Sequence, residues 1–161
     1  MTLPHIDISI EAGGWPEEAI LDQLIAAAIE SAGDSAKLIW PEQAELSAVF
    51  TDDKAMAELN GQWRNKPTPT NVLSFPGGDI KVGQPSDLMI GDLVFAFETV
   101  VKEAEEQDKP FEHHLTHLII HGFLHLFGYD HLNDEEAEQM ETLETVALAN
   151  LGIEDPYKDD L

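Results

Sequence analysis

Polar and apolar residues alternate through His5-Ile6-Asp7-Ile8-Ser9-Ile10, which predicts a strand with one buried face. Gly13-Gly14 breaks that pattern, and a helical period takes over. Ile20, Leu21, Leu24, Ala28 and Ala32 fall on one stripe; Pro16 suits the first turn, Glu17 and Glu18 suit the positive end of the helix dipole, and Gly33 is expected to end the helix. Glu45 to Thr51 reads as a second strand, and Asp52 as the cap of a short helix running to about Asn60. Gly61 to Thr70 carries Pro67 and Pro69 and has neither period. A short strand, Asn71 to Phe75, stops at Pro76-Gly77-Gly78, and residues 76 to 88 read as a loop.

Met89 to Phe97 is the strongest strand signal, dense in apolar and β-favouring side chains. Glu98 to Asp108 is helical in composition and ends before Pro110; Phe111 to Phe127 is a long helix closed by Gly128. Asn133 with Glu136 makes a capping-box start for a last helix. That helix places Ala137, Met140, Leu143, Ala147 and Leu151 at core spacing and stops at Gly152. With no repeat and no linker-like tract, the pattern predicts one mixed α and β domain over residues 1–161, with helices gathered toward the C-terminal end.

Composition adds two restrictions. There is no cysteine, so neither a disulfide nor a thiolate ligand is available. The start of the chain, Met1 to Ile10, has no basic segment followed by an apolar one, and no apolar run is long enough to span a bilayer; the expectation is a cytoplasmic protein without a membrane role. Thirty-two acids face eight bases, for a formal net charge of −24. Such a charge repels nucleic acid at long range.

Candidate chemistry is concentrated in one helix. Six of the seven histidines lie between His113 and His131. His121 and His125 stand four apart, so both rings leave the same helix face one turn apart. Gly128 permits a sharp turn that swings His131 back toward them. The spacing His-x-x-x-His-x-x-Gly-x-x-His supplies three neutral imidazoles, which suit one Zn²⁺ and leave its fourth position open. His114 and His117 fall near the same face and are expected to be hydrogen-bonded neighbours rather than ligands; His113 is expected at the surface, and His5 carries no signal. One of Asp92, Asp130 and Asp134 is a candidate to hold a ligand imidazole in its tautomer, with no spacing that chooses among them. The same spacing occurs in metzincin peptidases, where a Glu follows the first histidine and acts as general base. Here that position is Gly122, which counts against a peptidase.

Arg64 is the only arginine, and with Lys66 it makes a positive spot in an acidic chain. A guanidinium fork matches phosphate oxygens, although pairing with a surface acid is an equally ordinary use. The segment from Leu59-Asn60-Gly61-Gln62-Trp63-Arg64-Asn65-Lys66 to Pro76, with His121-Gly122-Phe123-Leu124-His125 through His131, resembles the YbeY family of bacterial endoribonucleases. Ile90-Gly91-Asp92-Leu93 and the tail Gly152 to Tyr157 share in the resemblance.

The resemblance implies an α+β, zincin-like fold: a small mixed sheet with helices packed on it and the metal-binding helix in the C-terminal half. It implies one metal per chain on His121, His125 and His131, for which the ligand set suits zinc, and an essential arginine at Arg64; Lys66 and Lys81 are read from the residues as further cations near the metal. On this reading Arg64 and His121 are catalytic, and Arg64 and Lys66 bind substrate. The implied activity is cleavage of single-stranded RNA in maturation of small-subunit (16S) ribosomal RNA and in ribosome quality control. The implied partners are the ribosome or its small subunit and a ribosome-associated GTPase. Activation of water and activation of the RNA 2′-OH are both open routes. A metzincin-like metallopeptidase and a non-catalytic ribosome assembly factor remain the competing classes.

Overall fold

The computed structural model describes residues 2–158. Four strands form one sheet: β1 (His5–Ile10), β2 (Glu45–Thr51), β3 (Val72–Pro76) and β4 (Met89–Ala96). Their order is β1-β2-β4-β3. The β1–β2 and β2–β4 pairs are parallel, whereas β3 runs antiparallel to β4 at the sheet edge. The sheet is therefore mixed, and the fold is α+β as the pattern of elements predicts. Five helices complete it: α1 (Glu18–Ala36), α2 (Asp53–Arg64), α3 (Phe97–Glu106), α4 (Phe111–Leu126) and α5 (Asp134–Asn150).

Strand alternation sorts the side chains into two layers. Leu46, Ala48 and Phe50 of β2 and Leu93 and Phe95 of β4 join the main core with Leu21, Ile25 and Ile29 of α1 and Leu115, Ile119 and Phe123 of α4. α5 packs outside this layer, against α1 and α4. Val94 and Ala96 point the other way and meet Leu73 of β3 and Met56 of α2 in a smaller cluster that Phe75 flanks. α4 thus crosses one face of the edge strand β3, while α2 lies on the opposite face.

Two helix ends differ from the sequence expectation. α1 does not stop at Gly33 but runs to Ala36, with Lys37 as a left-handed cap at φ 54°. Gly33 is a packing residue: a Cβ there would stand 2.9 Å from the Trp40 ring. α2 continues past Asn60 to Arg64, where Asn65 takes the left-handed cap at φ 55°. Asn is among the few side chains that accept that conformation. At the start of α5, Asn133 accepts from the Glu136 N–H at 2.9 Å, while the Glu136 carboxylate reaches Leu132 N–H, one residue short of the usual capping-box partner.

Candidate metal centre

α4 carries a ligand face and a packing face. Leu115, Ile119, Phe123 and Leu126 are buried against the sheet and α1. Gly122 sits where the helix crosses β3 and β4; a Cβ at this position would lie 2.9 Å from Leu93 Cδ2, 3.1 Å from Ser74 Oγ and 3.3 Å from Val72 Cγ2. The Ser74 hydroxyl donates to the Gly122 carbonyl at 3.1 Å. His121 and His125 leave the helix at the rim of this contact, partly buried. Gly128, at φ 95°, then turns the chain, with the backbone of Ile80 to Val82 so close that a Cβ would meet Ile80 O at 2.9 Å. The turn brings His131 over the other two rings, 5.8 Å from the His121 ring and 5.3 Å from the His125 ring, centroid to centroid. One ring nitrogen from each of the three lies within 4.8 Å of the others.

The tautomers follow from the hydrogen-bond acceptors. His125 Nδ1 faces the Tyr129 carbonyl at 2.8 Å, which can only accept, so Nδ1 carries the proton. His121 Nδ1 faces Glu144 Oε2 at 2.9 Å and donates to it in the same way. When neutral, each ring with Nδ1 so engaged presents an Nε2 lone pair, and these two nitrogens stand 3.1 Å apart. Two facing lone pairs need a cation between them. Burial first, and then the neighbouring charge of His121, hold His125 below the ordinary imidazole pKa range. That discourages a proton in the gap and leaves the pair suited to a metal ion. The His121, His125 and His131 group thus fits a metal, with oriented imidazoles as its donors.

Glu144 of α5 is the residue that sequence reasoning missed. It is 0% exposed. Its carboxylate accepts from His121 Nδ1, from His117 Nε2, and from the Tyr157 hydroxyl at 2.6 Å. Burial pushes its pKa up, but the hydrogen bonds and charges of His117 and His121 outweigh that and lower it to about 2. The three aspartates considered instead do other things. Asp130 Oδ1 accepts the His131 backbone N–H at 2.8 Å, Asp92 lies within β4, and Asp134 opens α5. A signal for Glu144 was present: with Met140, Ala147 and Leu148 it is a lone acid on the buried stripe of α5.

His114 is buried and its Nε2 bonds Glu103 at 2.8 Å, while His117 leans on Glu144; neither ring joins the triad. His113 is exposed. Arg64, the last residue of α2, lines the same cleft as the triad, together with Thr70, Asn71, Ser74 and Asp130, in a volume of about 530 Å³. Lys66 lies beyond the Asn65 cap, exposed and outside the cleft lining among the described residues. The cleft therefore joins one rigid cation to three convergent imidazoles, next to an open strand edge.

The sequence profile described as Endoribonuclease YbeY matches residues 10–152. The chain belongs to the YbeY endoribonuclease family. It is 51% identical to the Endoribonuclease YbeY of Sinorhizobium medicae, over 99% of this chain and 98% of that protein. It is also 51% identical to that of Agrobacterium fabrum, over 98% and 96%. The solution structure of TM1509 from Thermotoga maritima shares the fold, with a TM-score of 0.57 at 24% identity over 91% of each chain. As a member of this family the chain is a hydrolytic endoribonuclease, and a peptidase reading is set aside.

Proposed function

We infer that this chain cleaves single-stranded RNA in the maturation of small-subunit ribosomal RNA, with one zinc ion on His121, His125 and His131 and with Arg64 on the scissile phosphate. The observation that carries this is the pair of Nε2 lone pairs converging at 3.1 Å in a cleft that Arg64 also lines. Three neutral imidazoles without thiolate or carboxylate are a donor set that suits zinc. Zinc bound there supplies Lewis acidity toward a phosphoryl oxygen and activation of water.

The chain's own residues do the rest. Glu144 and the Tyr129 carbonyl hold two ligand rings in the tautomer that presents Nε2. Arg64 orients the phosphate and offsets charge building on its oxygens. Lys66 and Lys81 are assigned to passing segments of the RNA backbone. The ribosome or its small subunit, with a ribosome-associated GTPase, is the partner proposed to present the RNA. Among the described residues no helix is long and apolar enough to cross a membrane, and a cytoplasmic address follows from the proposed substrate.

The test is single-turnover cleavage of a single-stranded RNA by wild type and Arg64→Lys at equal zinc content. Lys keeps the charge but loses the planar fork, and the expected loss is about 10²–10³ in rate. Equal rates reject the assignment of Arg64. Metal analysis accompanies it, with about one zinc per chain expected and His125→Ala expected to lose it. RNA binding without cleavage, at full zinc content, favours an assembly factor instead.

A further inference from the structure

One aromatic side chain is conspicuously outside both hydrophobic layers. Trp63 is 70% exposed, although it immediately precedes Arg64 at the end of α2. Its ring sits 6.3 Å from that of Phe75, tilted by 66°. Phe75 belongs to β3, the edge strand. Alternation in that strand turns Val72, Ser74 and Pro76 toward the cleft and Leu73 and Phe75 toward α2. Consecutive residues on a helix diverge by about 100°. Arg64 accordingly turns into the cleft while Trp63 rests on the other side of β3. The two side chains straddle the open edge of one strand.

Resting on the endoribonuclease reading above, we propose that Trp63 is a stacking platform for a nucleobase adjoining the phosphate held by Arg64. A single strand crossing the edge of β3 sets one phosphate in the cleft and lays a neighbouring base on the indole face. The charge balance favours a contact of this kind. With eight bases against 32 acids, long-range attraction cannot draw RNA to this chain. Stacking is short-ranged, indifferent to net charge and tolerant of sequence, since every base has a π-face. It also discriminates: a base inside a duplex is covered by its neighbours, whereas one in a single strand is available.

The experiment compares zinc-loaded wild type, Trp63→Ala, Trp63→Leu and Trp63→Phe, matched in metal content and melting temperature. The probe is a short fluorescein-labelled single-stranded oligoribonucleotide, followed by anisotropy across a salt series. Trp63→Ala and Trp63→Leu are expected to weaken binding about 5- to 160-fold, while Trp63→Phe, which keeps a ring, retains most of it. The slope of log Kd against log salt stays unchanged in all three. Arg64→Gln, by contrast, lowers that slope by about 0.7, the value for one phosphate contact on a single strand. In cleavage, KM rises and kcat holds, because the contact is the same in ground and transition states. Equal binding by Trp63→Leu and Trp63→Phe, or an altered salt slope in Trp63→Ala, overturns the proposal; the Leu and Phe pair decides it even where Ala folds poorly. Wild type that binds RNA without cutting it counts against the endoribonuclease reading, and the binding series then still decides the role of Trp63.

Discussion

Glu144→Gln should weaken zinc binding without unfolding the protein. The carboxylate offers two oxygens to three donors: Oε1 takes His117 and Tyr157, and Oε2 takes His121. An amide has one acceptor oxygen. If that oxygen replaces Oε1, the NH₂ group faces His121 Nδ1–H, donor against donor. His121 must then move its proton to Nε2, and the lone pair that a metal needs is gone. If the oxygen replaces Oε2, His121 keeps its tautomer, but His117 and Tyr157 lose their acceptor, and the ring is oriented by a neutral partner instead of an anion. Both arrangements cost affinity. Loss of an orienting partner of a ligand histidine typically lowers metal affinity about 10- to 100-fold, or roughly 1.4–2.7 kcal/mol.

Stability responds differently. Charge-assisted bonds become neutral ones, which costs about 1 kcal/mol each, but a buried charge is also removed, which offsets part of that. The assay is competition for zinc between the metal-stripped protein and a chromophoric chelator, with far-UV circular dichroism as the fold control. Zinc affinity equal to wild type refutes the wiring, and so does an equal loss in Asp92→Asn. Alanine is the wrong substitution here, because it removes the buried acceptor that His117, His121 and Tyr157 share and opens a cavity, which confounds affinity with folding.

Two further outcomes follow from the packing around α4. Burial raises the Glu103 pKa, but hydrogen bonds from His114 and Asn71 and the charges of His114 and His117 bring it below 4.5. A carboxylate depressed by folding adds stability that is fully present above the unfolded value and is lost as pH falls through the folded one. In metal-free protein, the melting-temperature gap between wild type and Glu103→Gln should be widest above pH 4.5 and close below it; a gap that widens in acid rejects the assignment. Gly122→Glu should not create a peptidase: its first carbon already meets Leu93 Cδ2 at 2.9 Å, so the expected result is a loss of about 1–3 kcal/mol in stability with no casein cleavage.

The convergence of His121, His125 and His131 was legible because every step in it is local. Helical spacing puts His121 and His125 on one face, and a glycine turn returns His131 to them. β1 was likewise bounded by alternation alone. The missed features depend on what lies across the fold. Gly33 looks like a helix stop until Trp40 is seen to fill the space beside it. α2 overran its expected end because Asn65, not Gly61, takes the left-handed cap. Glu144 is hidden from a sequence reading because α5 returns to α4 only in the folded chain. The position of Arg64 also depends on tertiary structure, since α2 and α4 lie on opposite faces of β3 and only a long side chain at the end of α2 reaches round the edge.

Gly122 ties the chemistry to the packing. His121 and Gly122 are adjacent, so their side-chain directions diverge, the first toward the cleft and the second into β3 and β4. With hydrogen in place of a side chain, α4 sits close enough for Ser74 to bond the Gly122 carbonyl, and that contact brings β3 to the wall of the cleft. The missing peptidase base and the close helix–strand approach are thus a single feature. Proton handling then falls to what remains. Among the described residues lining the cleft the one carboxylate is Asp130, and its Oδ1 already takes the His131 backbone N–H. Any attacking group, water or the RNA 2′-OH, must give up a proton, so the carboxylate count does not by itself separate an amide from a phosphodiester. What separates them is charge: a phosphodiester is already anionic, and the further charge of its cleavage builds on phosphate oxygens, which suits a cleft that Arg64 lines. A cleft with a guanidinium in its wall is therefore better matched to a phosphodiester than to an amide.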